Sequence, residues 1–536
     1  MGGIQVPKRA IAARVLPILA VAAVLALSFV TAGKVPFSGK LVACVGYGYG
    51  YGYVASPPTV INVNPNAGPS SGGTTVTITG LGYCSPATAV DFGTTPAASF
   101  VINSDTSITA VSPVHAAGTV DVTVTNAQGT SAATALDHFT FAAFTSYFQW
   151  FDKASAGFLN DNIHLVNEGS APANITVTGP GGAQVSVSNL AVGAETYVTF
   201  PSGTIGGPVV VNSDQFVLAS QRVQYNQSFN EIWSADSFSA AATSYINWYD
   251  KASDGFLNDN IHLLNPFNAP SSVSVTVSGI IRTAVVQPQS STYVNFPQGT
   301  IGGPVKIQVT AGANILASQR VQFRSTFNEV WAHDASFAAQ TSIINWFDKA
   351  STGFLNDNIH LLNPGVTTAN VTVSEDGGVV SSTVNVAAGA ETYVTFPQGT
   401  IGGPVKVVVN SGPNVLSSQR VQYNDSFNEV WSEDPLGFAS TFNVINWYDK
   451  ASAGFVADNI HLFNPGTVSA VVTVDIGGGS TLATVIVPAD GETYVTLPQG
   501  TIGGPVNITV TSGPGILAAG RTQFNASFNE IWAQPL

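Results

Sequence analysis

A unit of about 98 residues is written four times between residue 143 and the C-terminus, with almost no drift in spacing. Trp150, Trp248, Trp346 and Trp447 lie 98, 98 and 101 residues apart, and Trp233, Trp331, Trp431 and Trp532 follow at 98, 100 and 101. All eight tryptophans of the chain occupy these two positions. The segment Phe158-Leu159-Asn160-Asp161-Asn162-Ile163-His164-Leu165 recurs with them, reaching the fourth copy as Phe455-Val456-Ala457-Asp458-Asn459-Ile460-His461-Leu462. Such a chain folds as copies of one small core, and copies favour reach, avidity and assembly over a catalytic site, which normally exists once per chain.

Charged residues make up 9% of the 536, while Val, Thr, Ser, Asn and Gly dominate, which predicts many short strands joined by turns. The expected fold class is all-β: tandem immunoglobulin-like β-sandwiches behind an N-terminal signal or anchor segment. The expected divisions are 1–33 for that segment, 34–56 for a Gly/Tyr-rich linker, 57–142 for a first sandwich, and repeats over 143–241, 242–339, 340–439 and 440–536.

Lys8, Arg9 and Arg14 precede the apolar run Val15 to Ala32, the order of a secretory signal or membrane anchor. The protein is therefore expected outside the cell, membrane-tethered or secreted. Leu41-Val42-Ala43-Cys44 resembles the lipobox of bacterial lipoproteins and would imply lipidation of Cys44, although Lys34, Pro36 and Lys40 interrupt the pattern. With Cys44 and Cys84 alone, one disulfide is the most the chain can form. Of a net charge of −14, the first 53 residues contribute five basic and no acidic residues. The acidic remainder of the chain lacks the basic stripe that nucleic acid requires.

In the first sandwich, Thr74 to Gly80, Ile108 to Val111 and Val120 to Thr125 alternate with period two between Gly and Pro turns. Asn64-Pro65-Asn66-Ala67-Gly68-Pro69, Thr79-Gly80-Leu81-Gly82-Tyr83, Val90-Asp91-Phe92-Gly93 and the closing Phe139-Thr140-Phe141 resemble the IPT/TIG domain. That resemblance implies an immunoglobulin-like spacer or interaction module.

Each repeat shows strand signals at Asn162–Asn167, Asn174–Thr178, Thr196–Phe200, Val209–Val211 and Phe216–Tyr225 of the first copy, with a Gly-Gly-Pro turn at 206–208. The aromatic opening, the Asn-Pro strand end and the closing Ala-Ser-Gln-Arg-Val resemble tandem repeats of bacterial cell-surface proteins.

Six ionisable positions recur. They are Asp152, Lys153, Asp161, His164, Arg222 and Glu231 in the first copy, and in the second Asp250, Lys251, Asp259, His262, Arg320 and Glu329. The same positions hold Asp348, Lys349, Asp357, His360, Arg420 and Glu429, then Asp449, Lys450, Asp458, His461, Arg521 and Glu530. In so charge-poor a chain they read as internal braces. One recurring His per repeat without Cys argues against zinc; Asp152, Asn160, Asp161 and Asn162 offer hard oxygens for calcium, although Ala457 replaces the first Asn in the fourth copy. Glu195, Glu391 and Glu492 recur also, with Ser291 in their register in the second copy. No nucleophile elbow, phosphate loop or metalloprotease motif occurs, and no catalytic residue is assigned.

The tryptophans have two readings: plugs at the ends of each sandwich core, or exposed faces on which sugar rings stack. The expected protein is a non-enzymatic, exported cell-surface structural or adhesive rod, about 150–200 Å long if its domains stand in line. Its expected partners are cell-surface or cell-wall polymers, other proteins, or further copies of itself. The alternatives are a multivalent carbohydrate-binding protein and a passive stalk presenting a separate partner. No cofactor other than calcium is expected.

Overall fold

The computed structural model describes residues 39–41, 56–70, 72–84, 87–375 and 380–536. The expected export segment, the Gly-Tyr run and Cys44 lie outside them. Strand accounts for 61% and helix for 3%, which makes the chain all-β.

The first domain is a two-sheet sandwich. One sheet runs 39–41, Ser99–Ser104, Ser107–Val111, Thr75–Leu81 and Thr59–Asn64; the other runs Ala67–Pro69, His138–Ala142, Gly118–Asn126, Ala89–Phe92 and Thr95–Pro96. Along Thr75–Leu81 the buried Val76 and Ile78 alternate with exposed threonines, so the two-residue period places one face on the core and one in water. Phe92 and Phe139 meet edge to face at 5.1 Å in that core. Cys84 is disulfide-bonded.

Each repeat is a second kind of sandwich. In the second copy one sheet has the order Thr243–Ile246, Val305–Ala311, Ser271–Val277, Ile280–Val286, and the other Ser290–Asn295, Phe256–Asn265, Leu316–Phe323, Thr326–Trp331. Tyr249–Asp250 pairs separately with Ile301–Gly302. The Gly-Gly-Pro turn beyond it is pinned: a Cβ on Gly303 would stand 1.9 Å from the Asn247 carbonyl, so only glycine lets the turn lie against the residue preceding Trp248.

The first sheet is ordinary, buried on alternate residues, as in Ser271–Val277. The second is buried on both faces along Leu316–Phe323 and Thr326–Trp331. One face covers its own sandwich, and neighbouring repeats cover the other. The closing strand Thr326–Trp331 packs against Ser228–Trp233 of the first repeat and Ser426–Trp431 of the third, while Ser527–Trp532 of the fourth packs against both the third and the first. The four repeats therefore close head to tail into a ring.

The expected extended rod does not form over these four units. A rod would leave the apolar outer face of every closing sheet in water; a repeated head-to-tail contact whose rotation closes buries all four. The seam between the fourth and first repeats is as intimate as the others. Val444 of the fourth packs into the core of the first, and Phe455 meets Phe229 at 5.7 Å.

Candidate functional site

The two tryptophans of each repeat divide the work. Trp233, Trp331, Trp431 and Trp532, which end the closing strands, form a hydrogen-bonded circuit between repeats. Trp331 Nε1 donates to the Trp233 carbonyl, Trp431 to Trp331, Trp532 to Trp431 and Trp233 to Trp532, each at 2.7 Å. A buried indole N–H needs an acceptor, and here the neighbouring repeat supplies it.

Trp150, Trp248, Trp346 and Trp447 are half-buried and stand at the clefts between repeats. Each reaches across to the histidine of the next repeat, with ring centroids 5.3–5.5 Å apart: Trp150 to His262, Trp248 to His360, Trp346 to His461, Trp447 to His164. Half-exposed tyrosines flank them, Tyr197, Tyr293, Tyr393 and Tyr494. Cavities of about 300–370 Å³ open at three of these clefts, between the first and second, second and third, and third and fourth repeats. The tyrosines were absent from the sequence-based candidates, although they recur in register as Thr-Tyr-Val.

Beneath the aromatics lies buried charge. Arg222, Arg320, Arg420 and Arg521 face Glu231, Glu329, Glu429 and Glu530 on the adjacent strand, with Nε–Oε2 distances of 3.3, 3.2, 3.6 and 2.9 Å. The pairs attract as charges without being aligned as hydrogen bonds. Each guanidinium also lies 4.7 Å from the centroid of a phenylalanine ring: Phe229, Phe327, Phe427 or Phe528. In the first three repeats a serine hydroxyl donates to the glutamate, as Ser220 does to Glu231 at 2.7 Å, while the fourth has Ala519; Asn446 of the fourth repeat donates to Ser220 at 2.9 Å. The internal braces thus extend between repeats.

Asp161, Asp259, Asp357 and Asp458 are fully buried. Asp161 accepts the Asp152 N–H and Gln221 Nε2, tying the Trp150 loop to the long strand. Burial pushes all four carboxyls up to about 7, against those hydrogen bonds. His164, His360 and His461 place Nδ1 2.7 Å from Glu195, Glu391 and Glu492. Burial drives these histidines well below their ordinary range and lifts Glu195 to about 7 and Glu391 to about 8, so below neutrality these two pairs are neutral hydrogen bonds rather than ion pairs.

These shifts make stability depend on pH. A carboxyl titrating near 7 when folded and near 4 when unfolded is protonated only in the fold between those values, so its contribution to stability falls as pH rises through that window. The buried histidines act oppositely, to an extent that fades through about pH 6.5 to 7.5 as they lose their protons in the unfolded chain. Over that interval the raised carboxyls outnumber them, and the melting temperature is expected to fall. A melting temperature that rises across this interval would contradict the assignment.

Three of the four residues considered for calcium make hydrogen bonds within their own repeat. Asp152 Oδ1 accepts the Ala154 and Ser155 N–H groups at 3.0 and 2.8 Å, Asp161 is buried behind it, and Asn160 is exposed and donates to Gln224. Among the described residues, Asp121, Asp137 and His138 of the first domain are the one set of three carboxylate and imidazole groups whose ligand atoms all lie within 4.8 Å of one another. No helix among those residues is long and apolar enough to cross a membrane.

These features define a multi-domain protein of immunoglobulin-like β-sandwiches. Residues 58–141 match the IPT/TIG domain, and the chain carries that domain ahead of its four tandem repeats. No curated protein matches the chain. Among solved structures, the BSP domain of a biofilm-associated protein is 9% identical, with 73% of this chain and 96% of that one covered, at a TM-score of 0.13. A Ca²⁺-stabilised adhesin that helps an Antarctic bacterium reach out and bind ice is 12% identical, covering 78% and 95%, at 0.10. The alpha-2-macroglobulin of E. coli is 9% identical, covering 90% and 36%, at 0.12. At these scores the likeness bears on neither arrangement nor activity.

Proposed function

We propose that this chain is a non-enzymatic, exported cell-surface protein in which an IPT/TIG domain carries a closed four-repeat head, and that the head adheres to surface polysaccharide through its inter-repeat clefts. The observation that carries this reading is the fourfold recurrence of a half-buried tryptophan and a half-exposed tyrosine at the seam between repeats. Aromatic faces of this kind stack on sugar rings, and the amides beside them, such as the Asn258–Gln322 pair at 2.8 Å, offer the polar edges that hydroxyls need. Four weak sites on one rigid body gain by avidity. The basic-then-apolar order of residues 8–32 supports export.

A structural reading, in which the ring is a compact spacer, draws on the recurrent Asp, His, Arg and Glu residues that brace its interior. Co-sedimentation of the full chain with insoluble cell-wall and host polysaccharides separates the two. The adhesive reading expects retention by at least one polymer and its loss, by about tenfold or more, in the Trp248→Ala/Trp346→Ala double variant, since two of the four stacking faces and the avidity they supply are removed. A well-folded chain that binds no polymer would leave the spacer.

A further inference from the structure

The cleft between the first and second repeats departs from the other three on both of its walls. Where Glu195, Glu391 and Glu492 meet the histidine Nδ1, the second repeat has Ser291. Across the seam, the first repeat has Gln149 where the others have Asn247, Asn345 and Asn446. Buried here without hydrogen-bond partners are His262 Nδ1, Ser291 Oγ, Asn260 Oδ1 and both side-chain polar atoms of Gln149; Arg320 Nη1 is unpartnered too, as Arg420 Nη1 is in the third repeat. Among the four cleft histidines, His262 alone has an unpartnered Nδ1. Leaving such a group unmatched costs about 1–3 kcal/mol, so several together mark a place built to receive something polar.

The approach to that place is open and aromatic. Trp150, Asn260, His262, Tyr293 and Arg320 line a cavity of about 300 Å³. His262 and Arg320 are only 4% and 6% exposed, yet both border it. Tyr293 stacks on the histidine at 5.3 Å and is half-exposed on its other side.

We propose that this cleft is a selective site for an acidic sugar, whose carboxylate takes the position that a glutamate side chain holds in the other three repeats, accepting from His262 Nδ1 and Arg320 while the sugar ring lies against Trp150 and Tyr293. The inference rests on the saccharide-binding reading and adds that one of the four clefts differs in specificity. An imidazole N–H and a guanidinium N–H converging on one carboxylate give charge-assisted hydrogen bonds that a neutral sugar does not form. The other three clefts present their own carboxyl at this point and disfavour a second.

The test is calorimetric titration of the full chain with a uronic-acid oligosaccharide, the neutral oligosaccharide of the same linkage, and acetate. The expected result is one equivalent of the acidic oligosaccharide per chain, bound about tenfold or more tightly than the neutral one, with acetate alone far weaker. Ser291→Glu restores the residue of the sister repeats, so the fold should hold and melt no lower, while acidic binding is lost. Glu391→Ser should raise the stoichiometry from one to two. Equal affinity for acidic and neutral oligosaccharides, or an unchanged affinity in the folded Ser291→Glu variant, overturns the proposal. Neutral binding at all clefts would do so while leaving the adhesive reading intact.

Discussion

Trp431→Ala is expected to lower stability by about 3–5 kcal/mol, the range for truncating a buried aromatic. Trp431 is 5% exposed and packs with Val330 of the second repeat and with Leu362 and Leu416 of its own. Its ring lies against His333 at 4.5 Å and 15°, also from the second repeat. Its Nε1 donates to the Trp331 carbonyl. The substitution therefore removes apolar area from one seam and an acceptor's partner from the next residue in the circuit. Trp431→Phe keeps most of the area and deletes only the donor, and should cost about 1–2 kcal/mol. Urea denaturation of both variants measures the difference, and a loss below about 1 kcal/mol in the alanine variant would mean that the seam is not closed in solution.

The second large effect concerns the buried charges. Arg521→Ala should cost about 3–5 kcal/mol, because Glu530 is left buried without its counter-charge, 2.9 Å from where the guanidinium stood. Burial already lifts the Glu530 carboxyl and Arg521 opposes that lift, so the variant's deficit should grow as pH rises. The double variant Arg521→Met/Glu530→Leu removes both charges and keeps their volume. It should be near neutral or more stable than the parent, since desolvating an ion pair offsets most of its attraction. Equal destabilisation by the single and double variants, read in the same denaturation experiment, would show that packing rather than charge is what Arg521 contributes.

Much of the fold was legible from residue pattern. The period-two stretches around Thr74–Gly80 and Val120–Thr125 are strands Thr75–Leu81 and Gly118–Asn126, because one face of each meets a core and the other meets water. In the repeats the expected strand at Phe216–Tyr225 appears as Val217–Tyr225. The edge strand Gln184–Leu190 alternates over Val185 and Val187 alone before Asn189, at a φ of 54°, puts Leu190 out of phase, a pattern too short to announce a strand. Closure into a ring was not read, for a physical reason: Leu-Ala-Ser-Gln-Arg-Val-Gln-Phe at 316–323 looks like a strand with one polar face, and nothing local says that the face carrying Arg320 is covered by another repeat. A signal was present all the same. A chain with so few charges that repeats an Arg, a Glu and two Trp in register four times needs something to cover them, and the neighbouring repeat does so. The site divides likewise: the tryptophans were visible as a class, but their split into a buried circuit and an open cleft depends on which strand end each occupies. The coincidence of Gln149 with Ser291 acquires meaning only once both are placed on one seam.

The four repeats close on themselves. Small-angle X-ray scattering of the repeat region, residues 143–536, measured alongside the full chain to verify that it retains its fold, tests this directly. The ring predicts a radius of gyration of about 21–25 Å, close to that of a single compact body of this length, whereas four sandwiches of about 35 Å in line would give about 40 Å. The smaller value, unchanged on dilution, is the expected result; the larger one would contradict the closed ring and return the repeats to an extended rod.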